Sequence, residues 1–378
     1  MNVVVVAANG LHCRWLGPYG NEWVSTPAFD ALATESVVFD RHFADNPSPT
    51  GFATRCPPTL LRSLRGAGFT TAFVDDRKSR PPDGREWDVL LSTESASAAT
   101  PGDALISTFE SALDRLTSRP NWLLWVETDR LVPPWDFDQE TYQHYAAATA
   151  RFTAEDEDEP PPLLDPITDP TPGLLALDDD SKWHRLHNSF AAAVTSFDAE
   201  LEVLVEVLRE RGLDQSAAWV VTSGYGWPLG EHGVIGPAES RMHTELVHLP
   251  LLLRLPKAEQ AMRRVSAFTQ ASDLGPSILD LFETSTNTGS LIALARGSAQ
   301  AVRSDARSAT IRSTGAERSI RTPEWAFLSA VPEAGKPARL YRKPDDIWEV
   351  NDLAPRHADE CDRLAALLDD TAAKEPTP

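Results

Sequence analysis

Short β-branched runs alternate with helix-period segments from the amino terminus to about residue 285. This alternation is the feature that most constrains what this chain can fold into. The first run, NVVVVAA at 2–8, has no polar alternation and stops at the turn pair Asn9-Gly10, as expected of a strand buried on both faces. Similar runs predict further strands at 37–39, 70–74, 122–126, 218–222 and 251–255. The sequence therefore predicts an α/β fold with a mostly parallel central sheet sandwiched by helices.

Helical periodicity fills the intervals between these strands. The longest predicted helix runs from about Ser181 to Arg211, with apolar residues at three- and four-residue spacing. Thr26-Pro27 predicts the start of another helix, because a threonine hydroxyl caps free amides and proline suits the first helical position. Shorter helices are predicted at 59–66, 103–117 and 272–282.

Changes of composition along the chain predict its organisation. We expect an α/β domain at 1–295, in which the acidic, proline-rich residues 154–173 form a surface loop. After about residue 300, short runs separated by turns predict an antiparallel subdomain at 296–378 that ends in a helix at 356–368 and a frayed tail. Its strands are predicted at 301–305, 308–313, 317–322, 325–331 and 338–343.

Charge and apolar-run length argue against several classes of protein. Lys plus Arg number 35 against 56 Asp plus Glu, and the resulting net charge of -21 makes nucleic acid an unexpected partner. The longest apolar runs are far shorter than the roughly 20 residues that cross a bilayer, so no membrane association is expected. Three distant cysteines and an opening strand without signal-peptide form predict a cytoplasmic protein with free thiols.

Several segments, in a fixed order, carry turns and helices of a known family. They are NVVVVAANGLHCRWLGPYGN (2–21), TPAFDALATESVVFDRHF (26–43), TLLRSLRGAGFTTAFV (59–74), WVVTSGYGWPLGEHGVIG (219–236), ELVHLPLLLRLP (245–256), DLGPSILDLF (273–282) and IWEVNDLA (347–354). Together they resemble the sulfatase family of the alkaline phosphatase superfamily. The resemblance implies that family's fold and, for an active member, hydrolysis of sulfuric esters.

The resemblance also implies a divalent metal ringed by oxygen ligands. Where the family has two adjacent aspartates after its first strand, this chain has Asn9 and Gly10. Where the family has the ligand pair of its SDHG motif, this chain has Gly224 and Tyr225. We interpret these four as former metal-ligand positions, and neither a metal nor another cofactor is predicted.

The family's nucleophile, a cysteine matured to formylglycine or a Ser or Thr in relatives, would fall within residues 46–59. The CxPSR motif has no counterpart there, because Cys56 follows the only arginine, Arg55. Thr50 is an alternative nucleophile, although a turn residue is the simpler interpretation. The cations that surround a bound sulfate are missing as well, since the expected lysine is Pro237.

Acidic residues suggest a second arrangement. Asp75, Asp76, Glu127 and Asp129 are expected just beyond the carboxyl ends of two strands, where open α/β sheets collect ligands. Helix caps and solvated charges are the simpler interpretation of these residues. The alternative is a relocated calcium or magnesium site.

Histidines and aromatic residues complete the candidates. His232 and the HxExxH-spaced segment HTELVH at 243–248 are interpreted as surface or crevice-wall residues, since the segment runs into a predicted strand. Tyr225, Trp227 and Trp135 either line an apolar crevice or supply core bulk.

The predicted function is that of a catalytically inactive sulfatase-like protein, a pseudoenzyme. It would bind a small molecule or a protein in the former active-site crevice, with a neutral ligand favoured over an anion. One alternative is an active sulfuric or phosphoric ester hydrolase, with Thr50 as nucleophile and a metal held by Asn9, Asp75 or Asp76. Another is a regulatory or structural partner of an active sulfatase. The oligomeric state stays open.

Overall fold

The first strand shows how the layers of the molecule are built. In the computed structural model, alternate side chains of the strand Asn2–Ala8 enter two different hydrophobic clusters, one on each face of the sheet. A run without polar alternation is stable here because helices cover both faces. The structure describes residues 1–48, 58–76, 87–153, 162–176, 178–283, 289–312 and 315–372.

Fifteen strands are present in the described residues. They are β1 Asn2–Ala8, β2 Val37–Phe43, β3 Thr70–Asp76, β4 Val89–Ser92, β5 Trp122–Thr128, β6 Gly173–Leu174, β7 Ala217–Thr222, β8 Val234–Ile235, β9 His248–Leu249, β10 Leu251–Arg254, β11 Arg263–Gln270, β12 Ala306–Arg312, β13 Gly315–Arg321, β14 Trp325–Leu328 and β15 Arg339–Arg342. The same part of the chain contains the helices α1 Pro27–Thr34, α2 Pro58–Gly66, α3 Pro101–Leu116, α4 Gln139–Thr153, α5 Asp180–Glu210, α6 Thr244–Val247, α7 Leu274–Leu281, α8 Leu291–Ala295 and α9 Ala358–Ala372.

The central sheet has nine strands in the order β11-β2-β10-β7-β1-β5-β3-β4, with β9 paired to β2. Strand β1 is parallel to β5 and β7, whereas β10 is antiparallel to both of its neighbours. Helices α1, α3, α4 and α5 pack on one face, and α2, α7 and α8 pack on the other. The predicted fold class, a mostly parallel central sheet sandwiched by helices, is confirmed.

Helix α5 matches the predicted long helix closely, and its buried side chains recur at helical spacing. The predicted cap of α1 is wrong. The Thr26 hydroxyl accepts the Gly17 amide instead, and the free amides of Ala28 and Phe29 donate to the Asp198 carboxylate of α5, each at 2.9 Å. A carboxylate at a helix start also complements the helix dipole, so a residue distant in sequence replaces the expected local cap.

Helix α4 and strand β11 are the longest elements that the sequence does not predict. Helix α4 presents mostly alanine and tyrosine to the core, which weakens its apolar periodicity. Strand β11 lies at the sheet edge and keeps polar residues along much of its length, so it lacks the β-branched run of a buried strand.

The acidic segment is only partly a loop. Residues 154–161 lie outside the described part, and residues 162–172 contain no helix or strand, but Gly173–Leu174 forms β6, which pairs with β8. The segment is fixed to the body where the Tyr142 hydroxyl donates to the Leu164 carbonyl at 2.6 Å and the Ile167 amide donates to the Ser189 hydroxyl at 2.9 Å.

The C-terminal residues form the antiparallel sheet β12-β13-β14-β15, as predicted, and α9 packs on its outer face. The predicted strand at 301–305 is wrong. This segment forms no strand, and the Arg303 guanidinium donates to the side chains of Asp273 and Gln270. Strand β12 begins only at Ala306. The Ala309 amide donates to the Asp45 carbonyl at 2.8 Å, which connects this sheet to the central one.

No helix in the described part of the chain is both long enough and apolar enough to cross a membrane.

Candidate functional site

Asn9 follows β1 at the carboxyl end of the central sheet and is almost completely buried. Its side-chain Nδ2 donates to Glu127 Oε1 at 3.1 Å and to Asp129 Oδ1 at 2.9 Å. These two bonds determine the amide orientation, because the flipped form would turn an oxygen toward two carboxylates. The hydrogens of Asn9 therefore point at the acidic residues, where a metal site would need an oxygen.

Gly10 continues the same tight arrangement. Its φ is +92°, and a Cβ added to it would lie 2.3 Å from the carbonyl oxygen of Leu131. The Gly10 amide donates to the Tyr225 carbonyl, and its own carbonyl accepts from the Trp227 amide, both at 2.9 Å. Any side chain at this position, including a metal-binding aspartate, would require the backbone to move.

The second pair of former ligand positions is also enclosed. Gly224 and Tyr225 are buried, and the ring of Tyr225 belongs to the main hydrophobic core together with Trp227 and Trp135. A Cβ at the neighbouring Gly226 would lie 2.0 Å from the Glu245 carbonyl oxygen, so backbones meet closely here. These three aromatic rings therefore do not form the open crevice wall that was one interpretation of the sequence.

The acidic residues end up in or next to paired strands. Asp75 and Asp76 are the last residues of β3, Glu127 lies within β5 opposite Asp75, and only Asp129 follows its strand. The expectation that all four lie beyond the strands is wrong, because sheet pairing continues two residues further. The Asp76 carboxylate accepts from the hydroxyls of Thr93 and Thr128, and burial raises the pKa of Asp76.

Metal coordination can be judged from the side chains that converge. Within the residues that the structure describes, no group of three or more His, Cys, Asp or Glu side chains is arranged to hold a metal ion. At the four positions that the family resemblance implies, Asn9 offers one neutral amide oxygen, Tyr225 one phenol oxygen, and Gly10 and Gly224 no side-chain ligand. This donor set does not fit a hard divalent cation, which requires more oxygen ligands. Thr50, the alternative nucleophile, lies outside the described residues.

Of the three histidines, His243 is buried, and His232 and His248 are half-buried. The rings of His232 and His243 stack with centroids 3.6 Å apart and an interplanar angle of 4°. Nδ1 of His232 lies 2.6 Å from Glu245 Oε1, and Nδ1 of His243 lies 3.0 Å from Glu349 Oε2. His248 points elsewhere, with Nε2 2.8 Å from the Asp40 carbonyl. The HxExxH-spaced residues therefore do not converge on one point.

Glu349 is a central residue that the sequence-based reasoning missed. Its carboxylate is fully buried, and the residue has a positive φ of 55°. Burial opposes ionisation, but Arg321, His243 and Lys343 outweigh it and hold the pKa of Glu349 well below its usual range. The residue lies in the IWEVNDLA segment, which served only as a family signature.

A large aromatic cavity lies among the segment after β1, helices α4 and α5, and residues 348–350, and none of Asn9, Gly10, Gly224 and Tyr225 lines it. Its volume is 740 Å³, and four indoles line it: Trp15, Trp23, Trp183 and Trp348. Three of them remain exposed to solvent, by 41% for Trp23, 36% for Trp183 and 55% for Trp348. The Arg14 guanidinium stacks 4.0 Å above the ring of Trp348. We call this space the aromatic cavity.

Four titratable residues of its lining have displaced pKa values, and burial lowers those of His12 and Arg14. Burial lowers the pKa of His187 to about 3, so this ring is neutral at physiological pH. Burial and the neighbouring Glu245 raise the pKa of Glu231 to about 7. The cavity thus combines apolar ring faces with a carboxyl group that is only partly ionised near neutrality.

Comparison with known proteins assigns the family. A sequence model of the sulfatase family matches residues 1–284. This chain belongs to the sulfatase family. An N-acetylglucosamine-6-O-sulfatase from Bacteroides thetaiotaomicron is 31% identical over 99 residues, which cover 26% of this chain and 17% of that relative.

Solved structures of similar fold agree with this assignment. A phosphonate monoester hydrolase of Agrobacterium radiobacter superposes with a TM-score of 0.73 at 18% identity, over 99% of this chain and 95% of the other. A 2-O GAG sulfatase superposes with a TM-score of 0.71 at 15% identity, over 99% of this chain and 92% of the other. At such low identity the superpositions establish the sulfatase fold of this chain and leave its chemistry to its own residues.

Proposed function

We propose that this sulfatase-family protein has lost metal-dependent ester hydrolysis and binds a ligand at the former active-site end of the sheet. The observation that carries this proposal is the Asn9 amide, whose Nδ2 donates to both Glu127 and Asp129. The Asn9 N–H hydrogens lie beside these two carboxylates, in the space that a divalent cation bound by them and by Asn9 would need. The close approach of Gly10 to Leu131 supports the same conclusion, since it leaves no room for a metal-binding side chain.

The ligand that best suits the aromatic cavity is a neutral or weakly polar ring, such as an unsulfated sugar. Indole faces stack on sugar and aromatic rings, and the volume of 740 Å³ lies in the range usual for small-molecule sites. Free Cys13 and Cys361 support a reducing compartment, so we place the protein in the cytoplasm.

Metal content and turnover test the loss of catalysis. We expect protein purified without chelator to contain well under one equivalent of calcium or magnesium by mass spectrometry. We also expect no hydrolysis of aryl sulfates or aryl phosphates above the buffer blank. One bound equivalent that is lost in Asn9→Ala, or a rate that disappears in Thr50→Ala, would instead support an active ester hydrolase with an atypical site.

Binding of N-acetylglucosamine, followed by tryptophan fluorescence, tests the ligand proposal. Trp183→Ala should weaken binding by about two- to tenfold, because stacking on one aromatic face contributes roughly 0.5–1.5 kcal/mol. Ile311→Ala is a suitable control, since Ile311 is 88% exposed and lies on the C-terminal sheet. If both variants bind like the unaltered protein, the aromatic cavity is not the site.

A further inference from the structure

A second cavity, of 400 Å³, lies where the central sheet meets the C-terminal sheet. It is lined by parts of β2 and β11, by the segment after β1, and by residues at the ends of β13 and β15. None of the four former metal-ligand positions contributes to its lining. Arg14 is the only residue that lines both this cavity and the aromatic cavity, so the two are separate spaces.

Five basic side chains line this space, which we call the basic cavity: Arg14, Arg41, Arg264, Arg321 and Lys343. Such a cluster contrasts with the chain as a whole, which carries a net charge of -21. Two carboxylates oppose it. Asp40 in the lining pairs with Arg264, and Glu349 behind it lies 3.1 Å from Lys343 Nζ and 3.4 Å from Arg321 Nη2.

The pairing leaves positive charge uncompensated. Within the described residues, Arg14 and Arg41 form no salt bridge, and aromatic rings hold their guanidinium groups instead. Arg41 lies 5.2 Å above the ring of Phe268. Nη2 of Arg14 donates to the Ile347 carbonyl. A cation on a ring face keeps its other hydrogen-bond donors, so Arg41 and the remaining nitrogens of Arg14 are available to a ligand.

Arg321 is the strongest single indication of a missing partner. The residue is only 3% exposed, and its Nη2 donates to the Met242 carbonyl. Its Nε and Nη1 atoms have no acceptor among the residues that the structure describes. Buried guanidinium donors without acceptors are costly, and the oxygens of an anion would satisfy them.

The pKa values of neighbouring groups are consistent with a positive potential. Burial, together with the charges of Arg14, Arg321 and Lys343, lowers the pKa of His248 to about 4. Burial also lowers the pKa of Lys343, and Arg321 and Arg14 act in the same direction. The cations thus repel one another across the cavity, and a bound anion would relieve this repulsion.

We propose that the basic cavity binds the phosphate group of a small phosphate monoester. Two arginines without carboxylate partners, together with the free donors of Arg321, match a group that carries about two negative charges and three acceptor oxygens. The volume of 400 Å³ leaves room for a small organic group attached to the phosphate. The two cavities share Arg14, whereas Arg41 lines the basic cavity alone, so a negative result with Arg41 would leave the proposed function intact.

Calorimetric titration of the full chain with glucose 6-phosphate, glucose 6-sulfate and glucose tests the proposal. We expect glucose 6-phosphate to bind, glucose 6-sulfate to bind more weakly because it carries one charge, and glucose to give no heat. Arg41→Gln should weaken phosphate binding about tenfold, since it removes a charge-assisted contact. Arg119→Gln makes the same charge change at an exposed turn before β5 and should leave binding unaltered.

Arg41 is the variant of choice because Arg321 also holds Met242 and Glu349, so its loss could unfold the protein. A folded Arg41→Gln protein, checked by circular dichroism, makes the binding result interpretable. Three results would each overturn the proposal. They are equal weakening by Arg41→Gln and Arg119→Gln, binding of glucose as tight as that of glucose 6-phosphate, and no heat with glucose 6-phosphate at millimolar concentration.

Discussion

Replacing Glu349 with glutamine should destabilise the folded protein by about 3–5 kcal/mol, the usual result of removing one partner from a buried ion pair. The carboxylate accepts from the Thr244 amide at 3.1 Å, from the Thr244 hydroxyl at 2.7 Å and from His243 Nδ1 at 3.0 Å. Lys343 Nζ lies a further 3.1 Å from it. The exposed fractions are 0% for the Glu349 side chain and 17% for Lys343, so water can compensate little.

The magnitude follows from what glutamine can and cannot replace. Its amide oxygen can take over one set of donors, but its NH₂ group must then face the other set. A buried N–H left without an acceptor costs roughly 1–3 kcal/mol. Arg321 and Lys343 would in addition lose their shared carboxylate, which brings the total into the range given above.

Urea unfolding at pH 7, followed by circular dichroism, measures the loss. Glu324→Gln is the matched control, because its pair with Arg342 is exposed by 65% and 43% and should contribute less than about 1 kcal/mol. The pKa of Glu349 is held low, so its contribution is complete above the unfolded-state pKa of about 4.3 and is lost as the pH falls through the folded-state value. Two results would refute the reasoning. One is an equal loss of unfolding free energy in Glu349→Gln and Glu324→Gln, and the other is a loss in Glu349→Gln that does not shrink in acid.

Gly10→Ala should lower the free energy of unfolding more than Gly20→Ala. Both have a φ near +90°, but a Cβ at Gly10 would lie 2.3 Å from the Leu131 carbonyl oxygen, whereas Gly20 has no atom within 4 Å; equal losses in urea would contradict the close approach. Asp198→Ala should cost about 1–2 kcal/mol as a lost helix cap, and Asp198→Asn should cost less. Burial raises the pKa of Asp198 to about 6, so the folded protein binds this proton more tightly than the unfolded chain does. The stability of the unaltered protein, measured relative to Asp198→Asn, should therefore fall as the pH rises from about 4 to about 6. A flat difference across that range would contradict the assigned pKa.

The central architecture could be predicted because its signals are local. The run 2–8 is apolar at every position from Val3 onward, and only a strand covered on both faces accommodates that pattern. The periodicity of α5 is equally local, and its predicted ends agree with the structure to within one residue. The family resemblance likewise rests on turns and caps that neighbouring residues specify.

The site could be predicted only in part. Asn9 and Gly10 occupy the end of β1 as expected, but nothing in the sequence shows that the Asn9 amide turns its hydrogens toward Glu127 and Asp129. That orientation depends on the register of β1 against β5. The interpretation of Trp227 as a crevice residue was open for the same reason, since burial depends on which elements pack above it.

The sequence alone thus determined the buried strands of the central sheet, the long helix and the family, because these depend on neighbours along the chain. Tertiary structure decided the capping of α1 by Asp198, the contacts of the buried Glu349 carboxylate and the basic cavity. Arg14, Arg41, Arg264 and Arg321 belong to four separate segments, and only the fold brings them together. A net charge of -21 is a sum over the whole chain, whereas a bound anion responds to the few charges within a Debye length, which is about 8 Å at physiological ionic strength.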